Sequence, residues 1–248
     1  MLLNLQEADL GRRIYRVIPL ERLLGLFVSR SNVLVKPALW EDVFENFILR
    51  SPVRLGSGEV IKYNFHDRMY GQCWTLQAAS DAMWRIYSPD GTGVRIRTTV
   101  RKLLEGLLAV NSGALSCASC CIGKVEYLSE KALMRIANTT FDDSGIGVTE
   151  LFRSLLVKRR PFRHEAEVRL LYEELDDDAF SEDTYHYEVN PHELIDQIMI
   201  DPRKSYAEFK VLEEVIRKST GYDGEIKRSL LYTLPKEITL DVTDVLRK

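Results

Sequence analysis

The sequence predicts an α+β fold, a mixed and mostly antiparallel sheet with flanking helices, in a single domain over residues 1–248. Three observations carry that reading. Segments with strand-like alternation or β-branched content outnumber segments with helical spacing. The two kinds do not alternate strictly, as a doubly wound parallel sheet would require. No Pro/Gly/Ser-rich or charge-rich stretch marks a linker, and the length suffices for one sizeable core.

The elements run in order along the chain. Ile14–Ile18 reads as a strand, and Pro19 then opens a helix through about Val28, with Leu20, Leu23, Leu24 and Phe27 on one face. Asn32–Val35 is a second strand. In Leu39–Leu49 the recurrence of Trp40, Phe44 and Phe47 every three to four residues predicts a helix, and Gly56 and Gly58 mark a turn. Tyr70–Leu76 is a strand and Ala78–Tyr87 a helix. Ser88–Gly93 is a turn before the alternating strand Val94–Thr99. Leu103–Val110 is helical and Gly123–Leu128 a strand. Glu130–Ala137 and Thr149–Val157 are helices around a loop at Asp142–Gly145. Glu165–Tyr172, Tyr185–Val189 and Asp196–Ile200 are strands, Tyr206–Lys218 is a helix, and Glu225–Tyr232 is a late strand.

Composition narrows the function classes. Lys and Arg number 34 against 37 Asp and Glu, a net charge of -3, which argues against charge-driven nucleic-acid binding by the whole chain. No apolar run approaches the roughly 18 residues of a membrane-spanning helix, and the N-terminus lacks the basic start of a secretory signal. Four cysteines are too few for a disulfide scaffold. Cys117, Cys120 and Cys121 look like half a zinc site, but the four histidines are scattered and the apolar neighbours suit buried free thiols in a reducing cytoplasm.

Four features carry candidate chemistry. On a strand, Glu165, Glu167 and Arg169 share one face, with His164, Ala166, Val168 and Leu170 on the other. Two carboxylates beside an arginine suit a tuned base or an electrostatic partner for a developing cation. The same spacing also suits a cross-strand ion-pair ladder on a solvated face. Upstream, Lys158, Arg159, Arg160 and Arg163 form a basic run that suits phosphate or nucleic-acid binding, or a solvated loop facing the acids of 173–178. Trp84 and Tyr87 lie three apart on one helix face, as core or as a stacking wall with Asp81 or Arg85 at its rim. Arg16, beside Tyr15, stands in an apolar strand, where an arginine is expensive unless it pairs or lines a cleft. No nucleophile elbow and no His-Glu-x-x-His motif appears, which disfavours hydrolase triads and zinc hydrolysis.

The segments Ile14–Phe27, Ala38–Asn46, Gln72–Tyr87, Gly91–Thr99, Gly123–Tyr127, Lys158–Tyr172 and Ile226–Tyr232, taken in order, resemble a bacterial domain-of-unknown-function family, number 2971, associated with phage-defence and abortive-infection genes. That family's Asn-Asp-Pro-Phe-Glu is replaced here within Trp40–Glu45, with loss of the proline. The order of features also resembles a divergent ADP-ribosyltransferase: an arginine on the first strand, a hydroxyl-bearing segment on a later strand, then Glu-x-Glu. Here these are Tyr15-Arg16, Cys73-Trp74-Thr75 and Glu165-Ala166-Glu167. Cys73 and Trp74 replace two of the three hydroxyl residues.

The resemblance implies an ADP-ribosyltransferase-like fold and a toxin-like or phage-defence effector. It would use NAD as substrate to modify a macromolecular acceptor, RNA or DNA among the candidates, under the restraint of an antitoxin or regulatory protein. Arg16 would hold a phosphate or ribose, Thr75 would support the catalytic glutamate, and Glu167 would stabilise the ribosyl cation. Glu165 would orient or deprotonate the acceptor. Trp74, Trp84 or Tyr87 would border the nicotinamide. Lys158, Arg159, Arg160 and Arg163 would meet the target. Two other classes stand beside this. One is a metal-dependent nucleic-acid-processing effector with Mg²⁺ on Asp81, Glu165 and Glu167. The other is a non-catalytic defence sensor or binding module.

Overall fold

The computed structural model describes residues 1–111, 113, 118–140, 147–176 and 182–234. Cys117 and the Asp142–Gly145 loop lie outside them. The strands are β1 (Leu2–Leu3), β2 (Arg13–Pro19), β3 (Ser31–Val35), β4 (Val53–Arg54), β5 (Val60–Ile61), β6 (Met69–Thr75) and β7 (Gly93–Thr99). They continue with β8 (Cys120–Lys124), β9 (Glu126–Leu128), β10 (Val157–Arg159), β11 (Glu167–Glu173), β12 (Thr184–Glu188), β13 (Gln197–Ile200) and β14 (Glu225–Arg228).

Among the described residues, ten strands form one sheet in the order β1-β8-β11-β6-β2-β7-β13-β14, with β3 joined to β6 and β12 to β3. Pairing is antiparallel except at β1–β8 and β13–β14. This is the expected α+β architecture.

Strand alternation separates the two faces. Ile14 and Ile18 of β2, Val94 and Ile96 of β7, Ile198 and Ile200 of β13 and Ile226 of β14 point to one side. There they share a core with Leu23 and Phe27 of the helix Leu20–Ser29, Leu103 and Leu107 of Val100–Val110, and Phe209 and Ile216 of Tyr206–Thr220. Val168 and Leu170 of β11 and Trp74 of β6 join it. On the opposite face, Met69, Cys121 and Leu171 pack under Leu151, Phe152 and Leu155. Helix starts follow capping chemistry: Ser80 accepts from the Met83 N–H, Thr99 from Lys102, and Ser205 with Glu208 forms a capping box.

The structure corrects several expectations. Leu39–Leu49 is not one helix. Pro37–Leu39 is a 3₁₀ turn and only Phe47–Arg50 is helical. Between them the Asp42 carboxylate accepts from the Phe44 N–H at 3.1 Å and the Asp42 carbonyl accepts from the Glu45 N–H, the side-chain-to-backbone bonding that competes with helix. The aromatics recur because they cover arginines: Trp40 lies over Arg169 at 4.4 Å and Phe44 over Arg159 at 4.3 Å. The predicted strand Gly123–Leu128 breaks at Val125, after which β9 leaves to pair with β10. The helix ending at Val157 stops at Ser154, and the strand Glu225–Tyr232 ends at Arg228. The Glu165–Tyr172 strand begins only at Glu167, because Ala166 adopts the left-handed conformation at φ 45. No helix among the described residues is long and apolar enough to cross a membrane.

A Cβ on Gly71 would sit 2.7 Å from the Trp40 ring and 3.0 Å from Leu171. Gly71→Ala is therefore expected to lower stability by about 1–3 kcal/mol through overpacking. The readout is a fall in the urea midpoint at constant m-value.

Candidate active site

β6 pairs with β11 over seven rungs, and β2 with β7 over seven, yet β2 and β6 share only the rung Tyr15–Thr75. Beyond that rung the two halves of the sheet fork, and the fork is hollow. One cavity, of about 290 Å³, is lined on one side by Tyr15 and Val17 and on the other by Cys73, Thr75, Glu165 and Glu167, with Met83 and Tyr87 at its wall. A second, of about 460 Å³, lies among Gly25, Ser29, Asn32, Gln72, Thr184 and His186. Arg16, Arg22 and Trp74 line both. Each volume lies in or near the range of small-molecule sites, about 300–1,000 Å³.

Arg16 sits at the junction. Burial pulls its guanidinium down to about 10, the nearby Cys73 and Arg22 being lesser influences. Among the described residues no carboxylate pairs with it, whereas the buried Arg169 is held by Glu45 and Glu167. Trp74 is fixed by donating its indole N–H to Gln72 at 2.7 Å, and Gln72 in turn is held by Asn32 and the Val33 carbonyl. Thr75 donates to the Glu165 carbonyl at 2.5 Å and sits opposite Glu167 in the ladder.

The floor of the first cavity is a buried ion network. The Lys158 ammonium lies 2.9 Å from Glu45, 2.5 Å from Glu165 and 2.7 Å from Glu167. Arg169, 0% exposed, binds Glu167 at 2.7 Å, Glu45 at 2.5 Å and the Leu155 carbonyl at 2.6 Å. Three carboxylates thus face two cations, so one proton restores neutrality. It resides on Glu165: burial first, then its hydrogen bond with Glu167 and that carboxylate's charge, push Glu165 up to about 8. Glu167 goes the other way. Burial opposes its ionisation, but Arg169, the Glu165 hydrogen bond and Lys158 together hold it below the usual carboxylate range.

The sequence-predicted residues divide. Tyr15, Arg16, Trp74, Thr75, Tyr87, Glu165 and Glu167 come together at the fork. Trp84 does not: it lines neither cavity and is buried with Val17 and Met83 against Met199. Lys158 is 5% exposed and consumed by three carboxylates, so it does not face a target. Arg159 binds Asp42 at 2.9 Å; Arg160 and Arg163 alone of that run are exposed. Glu165 lies on a 3₁₀ turn and not on the strand face, and the pair is buried at the cavity wall instead of forming a solvated ladder. Asp81 is exposed and bonded to Arg85 and Tyr232, so the three acids of the metal reading are not assembled. No group of three metal-ligating side chains occurs among the described residues. Sequence reasoning assigns Glu45 and Arg22 no role. Glu45 falls in the segment that matches the family's Asn-Asp-Pro-Phe-Glu, but the helical reading of that segment hides its partners, whereas Arg22 lies six residues after Arg16 on the following helix.

No family model matches the sequence. No curated protein matches it. Among solved structures, DarT of Thermus sp. 2.9 in complex with ADP-ribosylated single-stranded DNA aligns over 88% of this chain and 94% of its own, at 11% identity and a TM-score of 0.42. The same protein in complex with NAD⁺ aligns over 88% and 96% at 11% identity and a TM-score of 0.42. Its carba-NAD⁺ complex gives 87% and 94%, 12% identity and 0.40. At these scores the likeness stands as an observation, and the functional reading rests on the cleft's own residues.

Two outcomes test the network. Lys158→Met leaves three carboxylates around one cation and is expected to destabilise the chain by about 3–5 kcal/mol, seen as a lower urea midpoint. For Glu165 the folded chain holds a proton between its ordinary value of 4.5 and about 8 and the unfolded chain does not. Stability from this group is therefore present below that window and is lost as pH rises through about 8. Glu165→Gln is expected to remove that decline when urea midpoints are measured across the window.

Proposed function

We propose that the chain binds NAD in the forked cleft, breaks its nicotinamide–ribose bond and passes ADP-ribose to a macromolecular acceptor, or to water. The observation that carries the reading is the convergence of Arg16, Thr75, Glu165 and Glu167, residues from three different strands and a turn, on one cleft whose arginine lacks a carboxylate.

Arg16 is half-buried in the cleft with no carboxylate paired to it among the described residues, and its fork suits a phosphate. Arg22, lining both cavities beside it, gives a second cation for a diphosphate. The ionised Glu167 is aimed into the smaller cavity. Both its oxygens already accept from cations, Lys158 and Arg169, but each keeps a further lone pair for a sugar hydroxyl. When the glycosidic bond breaks, the electron pair leaves with nicotinamide and positive charge develops on the ribose. A fixed carboxylate in a water-poor site stabilises that charge. Lys158 and Arg169 prevent Glu167 from turning away or taking up a proton. Thr75, bonded to the Glu165 carbonyl, ties the Glu-x-Glu turn to the neighbouring strand. Glu165 takes the acceptor's proton once its own has left, so transfer rises with pH through about 8 while it is ionising. The sequence resemblance to a defence-associated family supports a toxin-like or phage-defence role, with a partner protein restraining the activity.

The test is nicotinamide release and labelled ADP-ribose transfer by the purified protein in the presence of cell extract. Glu167→Gln is expected to slow release by about 10²–10³-fold. Arg16→Ala is expected to weaken NAD binding by roughly ten- to a hundredfold, the worth of one charge-assisted contact. Absence of NAD binding with and without extract would remove the reading.

A further inference from the structure

One buried acid of the ion network has no part in the chemistry derived above. Glu45 is 5% exposed and comes from the turn between Pro37–Leu39 and the helix Phe47–Arg50. That turn is docked on cations. Trp40 lies over Arg169, Phe44 lies over Arg159, and Asp42 binds Arg159 at 2.9 Å. Anchored in this way, Glu45 reaches the centre of the network. One of its oxygens lies 2.9 Å from the Lys158 ammonium and the other 2.5 Å from the Arg169 guanidinium.

These are the same two cations that serve the Glu-x-Glu acids. Lys158 also holds Glu165 at 2.5 Å and Glu167 at 2.7 Å, and Arg169 holds Glu167 at 2.7 Å. Without Glu45, two carboxylates would face two cations and both could ionise. With it, a third negative charge draws on both cations, and the carboxyl with the weakest support retains a proton. Glu165 is that group. Among the described residues it has one cation, Lys158, whereas Glu45 and Glu167 have two each.

The other titratable neighbours do not supply the missing charge. Cys73 of β6, Tyr87 of the helix Asp81–Tyr87 and Tyr127 of β9 are all pushed up by burial, so they stay neutral. His164, next to Glu165 in the chain, is exposed and lies 3.2 Å from the Pro161 carbonyl.

We propose that Glu45 is a positioning residue for Glu165: its charge, shared between Lys158 and Arg169, keeps the proton on the Glu165 carboxyl and sets the pH at which Glu165 becomes a base. Lys158 pulls Glu165 toward ionisation, while burial and Glu167 push it up to about 8. Glu45 weakens that pull by taking a share of the same ammonium. The consequence for transfer rests on the ADP-ribosyl reading; the place of the proton does not.

The test follows the Glu165 carboxyl carbon by NMR in the full chain labelled with ¹³C-glutamate, its signal identified by loss in Glu165→Gln. Glu45→Gln is expected to lower the Glu165 midpoint by about two pH units. Glu45→Asp keeps the charge on a shorter arm and is expected to lower it by less. The fall of the urea midpoint with pH is expected to end earlier by the same interval. Glu130→Gln, which removes an exposed carboxylate 3.9 Å from Arg159, is expected to change neither reading. The proposal is overturned if folded Glu45→Gln keeps the wild-type midpoint, if Glu45→Asp lowers it as far as Glu45→Gln, or if Glu130→Gln lowers it equally. Should Glu45→Gln fail to fold, Glu45→Asp decides: a lowered midpoint sustains the proposal and an unchanged one overturns it. Nicotinamide release and transfer are measured on the same variants, and the pH of half-maximal transfer is expected to fall with the Glu165 midpoint. A lowered midpoint with no NAD turnover in any variant would sustain the role of Glu45 and remove the ADP-ribosyl reading. Turnover with an unmoved midpoint would do the reverse.

Discussion

One ammonium organises the functional end of this molecule. Lys158 meets Glu45, Glu165 and Glu167, which come from a turn after the third strand, a 3₁₀ segment and the start of β11. Burying one ion costs several kcal/mol even after relaxation. Lys158, Arg169 and their carboxylates are tolerable only because each charge has close partners and Arg169 adds a backbone carbonyl and the Trp40 face. The same closure sets the chemistry. With three acids around two cations in one buried cluster, burial and the neighbouring Glu167 push Glu165 up, so that it keeps its proton below about 8. An ionised carboxylate and a protonated one thus stand side by side, two residues apart, and can take different roles without any metal-ligand arrangement.

Much of the architecture was legible because strand alternation reports burial directly. Ile14, Ile18, Val94, Ile96, Val168 and Leu170 all turned out on the core side, as their spacing implied. Arg16, Thr75 and Glu167 lie on strands that the alternation also predicts, whereas Glu165 falls on a turn before the strand. What stayed hidden depended on partners distant in sequence. Trp40, Phe44 and Phe47 have helical spacing, but two of them are spaced to cover Arg169 and Arg159, which are more than a hundred positions away. Lys158 reads as the head of a basic surface run, and nothing local shows that three carboxylates will surround it. Ala166 gives no warning of a left-handed turn, because that conformation is imposed by neighbours: its carbonyl accepts from Leu76 and its N–H donates to Arg163. Trp84 and Tyr87 illustrate the limit of spacing arguments, since the helix turns one inward and the other to the cavity.

The two faces of β2 divide the work. Arg16 reaches into the fork between the half-sheets, where a cation without a carboxylate faces two cavities. Tyr15 points to the other face, where it lines the first cavity and meets Arg95 of β7. A strand with period two can serve both because successive side chains never compete for the same space. Its register is therefore tightly fixed: a slip by one residue would take Ile14 and Ile18 off the core side and turn Tyr15 and Val17 onto it.

The fork has a mechanical consequence. A sheet is stiff along lines where strands share many rungs, and here the two halves share one, Tyr15–Thr75. That line is a sparsely hydrogen-bonded seam of the sheet, held mainly by the core the two halves share. A molecule gripping Arg16 on one half and Glu167 on the other would span the seam like a cross-brace. Occupying the cleft would then stiffen the whole sheet, and the protein's slow opening motions would report on the site more directly than any change in its static shape.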